Sequence, residues 1–164
     1  MNDPLTIFDF TKNADCSNWR IVNDSVMGGQ SNASFSVNEA GNGVFTGHVS
    51  LENNGGFSSV RYQMKSKKIE QFQICKIRVK GDGKRYQLRM KNNISNRHSF
   101  IQHFQTSGEW ETIEIALADL YPTFRGRKLN MPNFPADELT QVAFLIANKE
   151  AEDFRLEIDW IVLE

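Results

Sequence analysis

Apolar and polar residues alternate with a period of two through most of this chain. This restricts the fold more than any other feature, because half-buried β-strands are what present side chains in that way. Within residues 73–80, Cys75, Ile77 and Val79 alternate with Lys76, Arg78 and Lys80. After Gly81-Asp82-Gly83, Tyr86, Leu88 and Met90 alternate with Gln87, Arg89 and Lys91, which predicts a hairpin. The pattern returns in Ile113, Ile115 and Leu117, and again in Phe154, Leu156, Ile158, Trp160 and Val162, with Arg155, Glu157 and Asp159 facing outward. Further strands are expected over residues 5–10, 19–23, 33–37, 44–51, 57–64, 99–105 and 141–147. Residues 142–147 are apolar on both sides, as in a central strand covered on both faces. About ten short strands with Gly, Asn and Asp between them predict an all-β fold, an antiparallel jelly-roll β-sandwich. A chain of 164 residues is the size of one such domain, spanning 1–164. Helix is expected only as single turns near residues 69–72, 118–121 and 136–139. The longest irregular segment, 122–135, holds three of the four prolines and the cluster Arg125, Arg127, Lys128.

If consecutive strands alternate in direction, every second connection falls at one rim of the sandwich. Residues 23–29 (NDSVMGG), 52–56 (ENNGG), 81–85 (GDGKR) and 148–153 (NKEAED) then share that rim, while 122–135 leaves from the other. Gly28, Gly29, Gly55 and Gly56 are free to take positive φ, and Asn23, Asp24, Asn53 and Asn54 can accept from neighbouring backbone N–H groups, so rigid loops of fixed shape are expected. Their atoms, with Ser25 and Met27, form a candidate binding rim; a purely structural role is the alternative. On the strands, Arg61, Lys76, Arg78, Lys80, Arg89 and His103 all lie opposite the apolar residues, with Gln63, Gln87 and Gln105 between them. If these strands are neighbours, they make either a solvated sheet face or a surface for an acidic partner, a phosphate-bearing ligand or a sugar, since Arg grips carboxylate and phosphate with two parallel hydrogen bonds. Asp82, Arg85 and Arg125 complete the candidate set. Tyr62 and Tyr86 fall on the apolar side, which leaves a sugar site short of stacking rings. Trp19, Trp110 and Trp160 are expected in the core.

Composition excludes several classes. Nineteen basic against 20 acidic residues give a net charge of −1, so no global field gathers nucleic acid or anionic membrane. No stretch approaches the roughly 20 apolar residues of an integral membrane segment. The opening MNDPLTIFDF has no basic region followed by an apolar run, so a cytoplasmic location is expected. Cys16 and Cys75 form no CxxC pair and are expected to be free. His98 and His103, five apart, point to opposite faces of a strand, and His48 stands alone, so no metal or other cofactor is expected. A structural calcium at Asp9, Asp15 and Asp159 is a minor alternative. No GxSxG, no Cys with a His partner and no phosphate loop is present, because GDGK is too short for one. A catalyst is therefore not expected.

The blocks NDSVMGGQS, GVFTGHVSLENNGGFSSVR, VKGDGKRYQLRM, FRGRKL and FRLEIDWI together resemble the complex I intermediate-associated protein family of 30-kDa type, over about Phe8 to Ile161. The resemblance implies a galactose-binding-like β-sandwich. It also implies a non-enzymatic role, since the family's mitochondrial members assist assembly of respiratory complex I by binding. A protein partner is thus the leading expectation, with a carbohydrate or small ligand as the alternative. The family motif ends ENNGGFSSVR on Arg61, for which Asp24 or Glu52 is the expected carboxylate partner, with the two glycine-pair loops side by side above it.

Overall fold

The computed structural model describes residues 3–24 and 29–164. Its strands are β1 (Leu5–Asp9), β2 (Trp19–Asn23), β3 (Asn32–Val37), β4 (Gly43–Val49), β5 (Ser58–Lys68), β6 (Ile74–Lys80), β7 (Arg85–Lys91), β8 (Ser99–Gln105), β9 (Trp110–Ala116), β10 (Tyr121–Phe124), β11 (Arg127–Lys128), β12 (Glu138–Ile146) and β13 (Glu152–Leu163). They form two antiparallel sheets. The first runs β3-β4-β13-β6-β9, with β1 also paired to β13; the second runs β11-β10-β8-β7-β12-β5-β2. Among the described residues helix is confined to short 3-10 turns, such as Glu52–Asn54 and Leu117–Asp119.

The core lies between the sheets and consists of the inward half of each alternating run. Cys75, Ile77 and Val79 of β6 face Tyr86, Leu88 and Met90 of β7, and all six are fully buried. β13 obeys the alternation only to Ile158, where a bulge between Ile158 and Trp160 breaks its register with β6. A bulge adds one residue and so reverses which side faces in. Ile161 and Leu163 are buried, whereas Trp160 and Val162 turn half-buried to the outer face. Trp110 is also half-buried, with the Arg78 guanidinium 5.6 Å from its ring centroid. Of the three tryptophans expected in the core, Trp19 alone is there, stacked between Phe35 and Tyr62.

Two other expectations are corrected. Segment 122–135 is not irregular at its start: β10 and β11 make a hairpin, and its two turn residues, Arg125 and Gly126, have φ of 51° and 79°. Two consecutive positive φ values mark a type I′ turn, whose twist matches that of paired strands. More important, β6 belongs to the first sheet while β5, β7 and β8 belong to the second. Lys76, Arg78 and Lys80 therefore point out of the opposite side of the sandwich from Arg61, Arg89 and His103.

The pairing registers do gather the four glycine- and asparagine-rich connections at one rim. Asn23 and Ile146 both pair with Ser58, and Glu152 pairs with Val49, so the chain leaves or enters all these strands at the same end. The β10–β11 turn lies beyond Ser99, the opposite end of β8.

Candidate functional site

At the glycine-rich rim the organising group is Asp24, which is 1% exposed. One carboxylate oxygen accepts from Ser31 N at 2.9 Å; the other accepts from the Ser31 hydroxyl at 2.5 Å and from Gly56 N at 2.6 Å, with Phe57 N at 3.3 Å. Burial pushes the carboxyl pKa up, but these donors outweigh it and hold Asp24 below its ordinary value. Gly29 and Gly55 have their reason here. A Cβ on Gly29 or on Gly55 would fall on the Asp24 carboxylate itself, so both are required by space and not by φ; Gly55 has φ −71°. Positive φ falls instead at Gly56, at 141°, and at Asn53, at 54°. The loops are side by side as expected, but what joins them is one aspartate. Ser25, Met27 and Gly28 lie outside the described residues, as does the side chain of Asn54. Asn23 is buried at the end of β2.

Arg61 does not take part. No ion pair to it exists among the described residues, and Glu52 is exposed. The expected bond to Asp24 fails because Arg61 points out of the second sheet, whose strands align it in a row: Arg20 pairs with Arg61, Arg61 with Ala143, Ala143 with Arg89, Arg89 with Ile101, and Ile101 with Tyr121. The parallel row toward the glycine-rich rim is Val22, Ser59, Leu145, Gln87 and His103, and Gln63, Gln141 and Lys91 flank the row on its other side. None of these positions carries a carboxylate. The floor between the long side chains is small or apolar: Ala143 is 1% exposed, Ile101 4% and Leu145 6%, yet none of the three belongs to the core cluster. The residues of β12 are thus covered inside by the core and outside by the stems of neighbouring arginines and glutamines.

The cations perturb one another. Burial, then the charge of Arg61, brings the Arg89 pKa down to about 10, against an opposing pull from Tyr121. Arg61 is lowered by burial and by Arg20. Lys91 is lowered by burial and by Arg61 and Arg89, and His103 by burial and by Arg85 and Arg89. Gln87 Oε1 accepts from an Arg89 Nη at 2.9 Å, which fixes that guanidinium in the row.

The other candidates lie elsewhere. Arg78 is on the first sheet, 3.6 Å from Asp159, and Lys76 sits 2.7 Å from Glu164 and 3.3 Å from Glu114, so these two cations have acidic partners on their own face. Asp82 is a structural tie, accepting from Tyr86 Oη at 2.9 Å and Arg155 N at 2.8 Å. Arg85 is exposed at the start of β7, and Arg125 is in the β10–β11 turn at the far end. Asp15 accepts from Ser17 N and Asp159 pairs with Arg78, and among the described residues no three His, Cys, Asp or Glu gather as a metal site. Sequence reasoning missed Arg20, Lys91 and Gln141 as members of the basic face. Arg20 stands between the inward Trp19 and Ile21, and Lys91 continues the Gln87–Arg89 period, but only strand order brings them together.

Among solved structures, the family 11 carbohydrate-binding module of the cellulase Lic26A-Cel5E from Clostridium thermocellum is similar, with a TM-score of 0.71 at 12% identity, covering 98% of this chain and 94% of that one. The family 11 module of that organism in complex with a β-1,3-1,4-mixed-linked tetrasaccharide superposes with a TM-score of 0.69 at 14% identity, over 98% and 94%. At such identities the likeness is one of fold, a galactose-binding-like jelly roll. In sequence, the mitochondrial complex I intermediate-associated protein 30 of Drosophila melanogaster is 22% identical over 96% of this chain, which spans 62% of that protein's length. The family model for complex I intermediate-associated protein 30 matches residues 8–158, and the chain belongs to that family.

Proposed function

We propose that this chain is a non-catalytic adaptor that holds a protein partner on the outer face of its second sheet. The observation that carries this reading is the row Arg20, Arg61, Arg89, flanked by Lys91, which has no carboxylate of its own. Arg61, Arg89 and Lys91 are half-buried beside the exposed Arg20, and half-buried like charges without a counter-charge destabilise a fold and persist where function uses them. The family's name supports a part in complex I assembly, and two free cysteines, one fully buried, support a reducing, cytoplasmic location. A photo-crosslinking residue at Gln63 is expected to capture a protein that the same residue at Thr112, on the other sheet, does not. Capture from both positions alike would sink the reading. Loss of the chain in its own organism is expected to lower the amount of assembled complex I.

A second reading, a carbohydrate-binding module, is favoured by the likeness to the carbohydrate-binding modules. Sugar rings stack on exposed aromatic faces, and the two rows and flank described above contain, besides the His103 imidazole, a single ring, Tyr121, over which Lys128 Nζ lies 5.2 Å from the centroid. Calorimetric titration with the mixed-linked β-1,3-1,4 tetrasaccharide is expected to show no heat. Saturable binding that Tyr121→Ala removes would select this reading instead.

A further inference from the structure

We propose that the segment bound by this face is an acidic stretch of polypeptide, laid crosswise over β2, β5, β12 and β7, with carboxylates paired to Arg61 and Arg89. This inference rests on the adaptor reading and adds the chemistry of the ligand. Neighbouring strands are about 4.8 Å apart, so the row from Arg20 on β2 to Arg89 on β7 spans about 14 Å across the strands. That is longer than one phosphate group and calls for a ligand with several anionic groups along its length. Arg20, Arg61 and Arg89 stand across β2, β5 and β7, so a ligand crossing the strands along this row meets three guanidinium groups, with Arg85 and Lys91 on the same face of β7 to either side of it.

The neighbouring groups select a peptide. At the row, β5, β12 and β7 are each paired with a strand on both sides, so a ligand crossing there meets side chains. Those side chains are guanidinium groups, which bond carboxylates through two parallel N–H donors, and primary amides, Gln63, Gln87 and Gln141, which can both donate to and accept from a peptide backbone. Ala143 at the centre of the row removes any obstruction between Arg61 and Arg89. Burial first, and then the charge of a neighbouring cation, lowers the pKa values of Arg61, Arg89 and Lys91, in keeping with a face where cations stand beside cations. An incoming carboxylate relieves that repulsion and takes the place of water already partly excluded.

The test uses the whole chain and a fluorescent decaglutamate peptide, with decaglutamine and polygalacturonate as comparators. Decaglutamate is expected to bind saturably and to weaken steeply with salt, while decaglutamine binds at least tenfold more weakly. Arg61→Gln and Arg89→Gln are each expected to weaken decaglutamate tenfold or more. Arg89→Lys keeps the charge without the planar fork, and is expected to recover only part of the loss while guarding against misfolding. The pair Lys76→Gln and Arg78→Gln, on the other sheet, is expected to leave binding within twofold. Equal loss from both faces, no preference for decaglutamate over decaglutamine, or tighter binding of polygalacturonate overturns the proposal. A partner protein crosslinked at Gln63 whose capture is unchanged between about 50 and 500 mM salt leaves the adaptor reading intact and sinks this inference alone.

Discussion

Asp24 is a buried negative charge with no cation paired to it among the described residues; hydrogen-bond donors on Ser31, Gly56 and Phe57, from two loops, stabilise it instead. Asp24→Ala would leave those donors without an acceptor and is expected to destabilise the fold by about 3 kcal/mol or more, and Asp24→Asn by about 1–3 kcal/mol, as measured by urea unfolding. Because the folded pKa is the lower, this stabilisation is complete above about pH 4, where the unfolded carboxyl is ionised, and fades as pH falls through the folded value. The gap between wild type and Asp24→Asn should therefore narrow in acid; a gap that widens would contradict the assignment. Gly29→Ala and Gly55→Ala drive a methyl into the same carboxylate and should each cost about 1–3 kcal/mol, less in an Asp24→Ala background. Arg61 behaves oppositely. With no acidic partner and with Arg20 and Arg89 near it, Arg61→Gln is expected to change stability by no more than about 0.5 kcal/mol or to raise it. A loss of several kcal/mol would mean a carboxylate does pair with it.

Strand by strand, the alternation was legible because it records which side chains leave water. β2 and β8 match the expected bounds to the residue, and eleven strands in all are expected within a few residues of where they lie, β5 running longer because its end, Lys65 to Lys68, is too polar to show a period. What the pattern hides is an inserted residue. In β13 the written alternation continues through Trp160 and Val162, but a bulge at Asp159, whose carbonyl accepts from Phe10 N at 2.9 Å, exchanges inside for outside. The β10–β11 hairpin was hidden for another reason: Pro122 interrupts the strand pattern, and Arg125 stands where a type I′ turn normally takes Asn. Arg125→Asn places a residue better suited to positive φ in that turn. It is expected to raise stability by about 0.5 kcal/mol, with differential scanning calorimetry as the measurement; a lowered Tm would show that the Arg125 contact with the Phe124 ring matters more.

Taken whole, the sandwich is electrically two-sided although its net charge is −1. The first sheet sets Glu114, Glu157, Asp153 and Asp159 against its cations, and the second sheet's central rows carry cations alone. No linear reading could divide six basic residues between two faces, because strand order is not written in the alternation; the loops at one rim were legible because parity alone decides them. Cys75 reports on the molecule as a unit: it is fully buried and burial pushes its thiol up to about 12, so alkylation in the native state is expected at Cys16 only. Cys75 labelling should appear at the rate of global unfolding, and rapid labelling in native buffer would reveal a core that opens locally. The pairing of Leu5 with Leu163 has a consequence for how the protein is made. A ribosome emits β1, β4 and β6 well before β13, the strand on which all three pair. Until those last residues emerge, the first sheet is three separate edges holding half of a hydrophobic core in water. Nascent chains arrested before Glu152 are accordingly expected to be protease-sensitive and to recruit chaperones, with folding following within milliseconds to seconds once β13 is free.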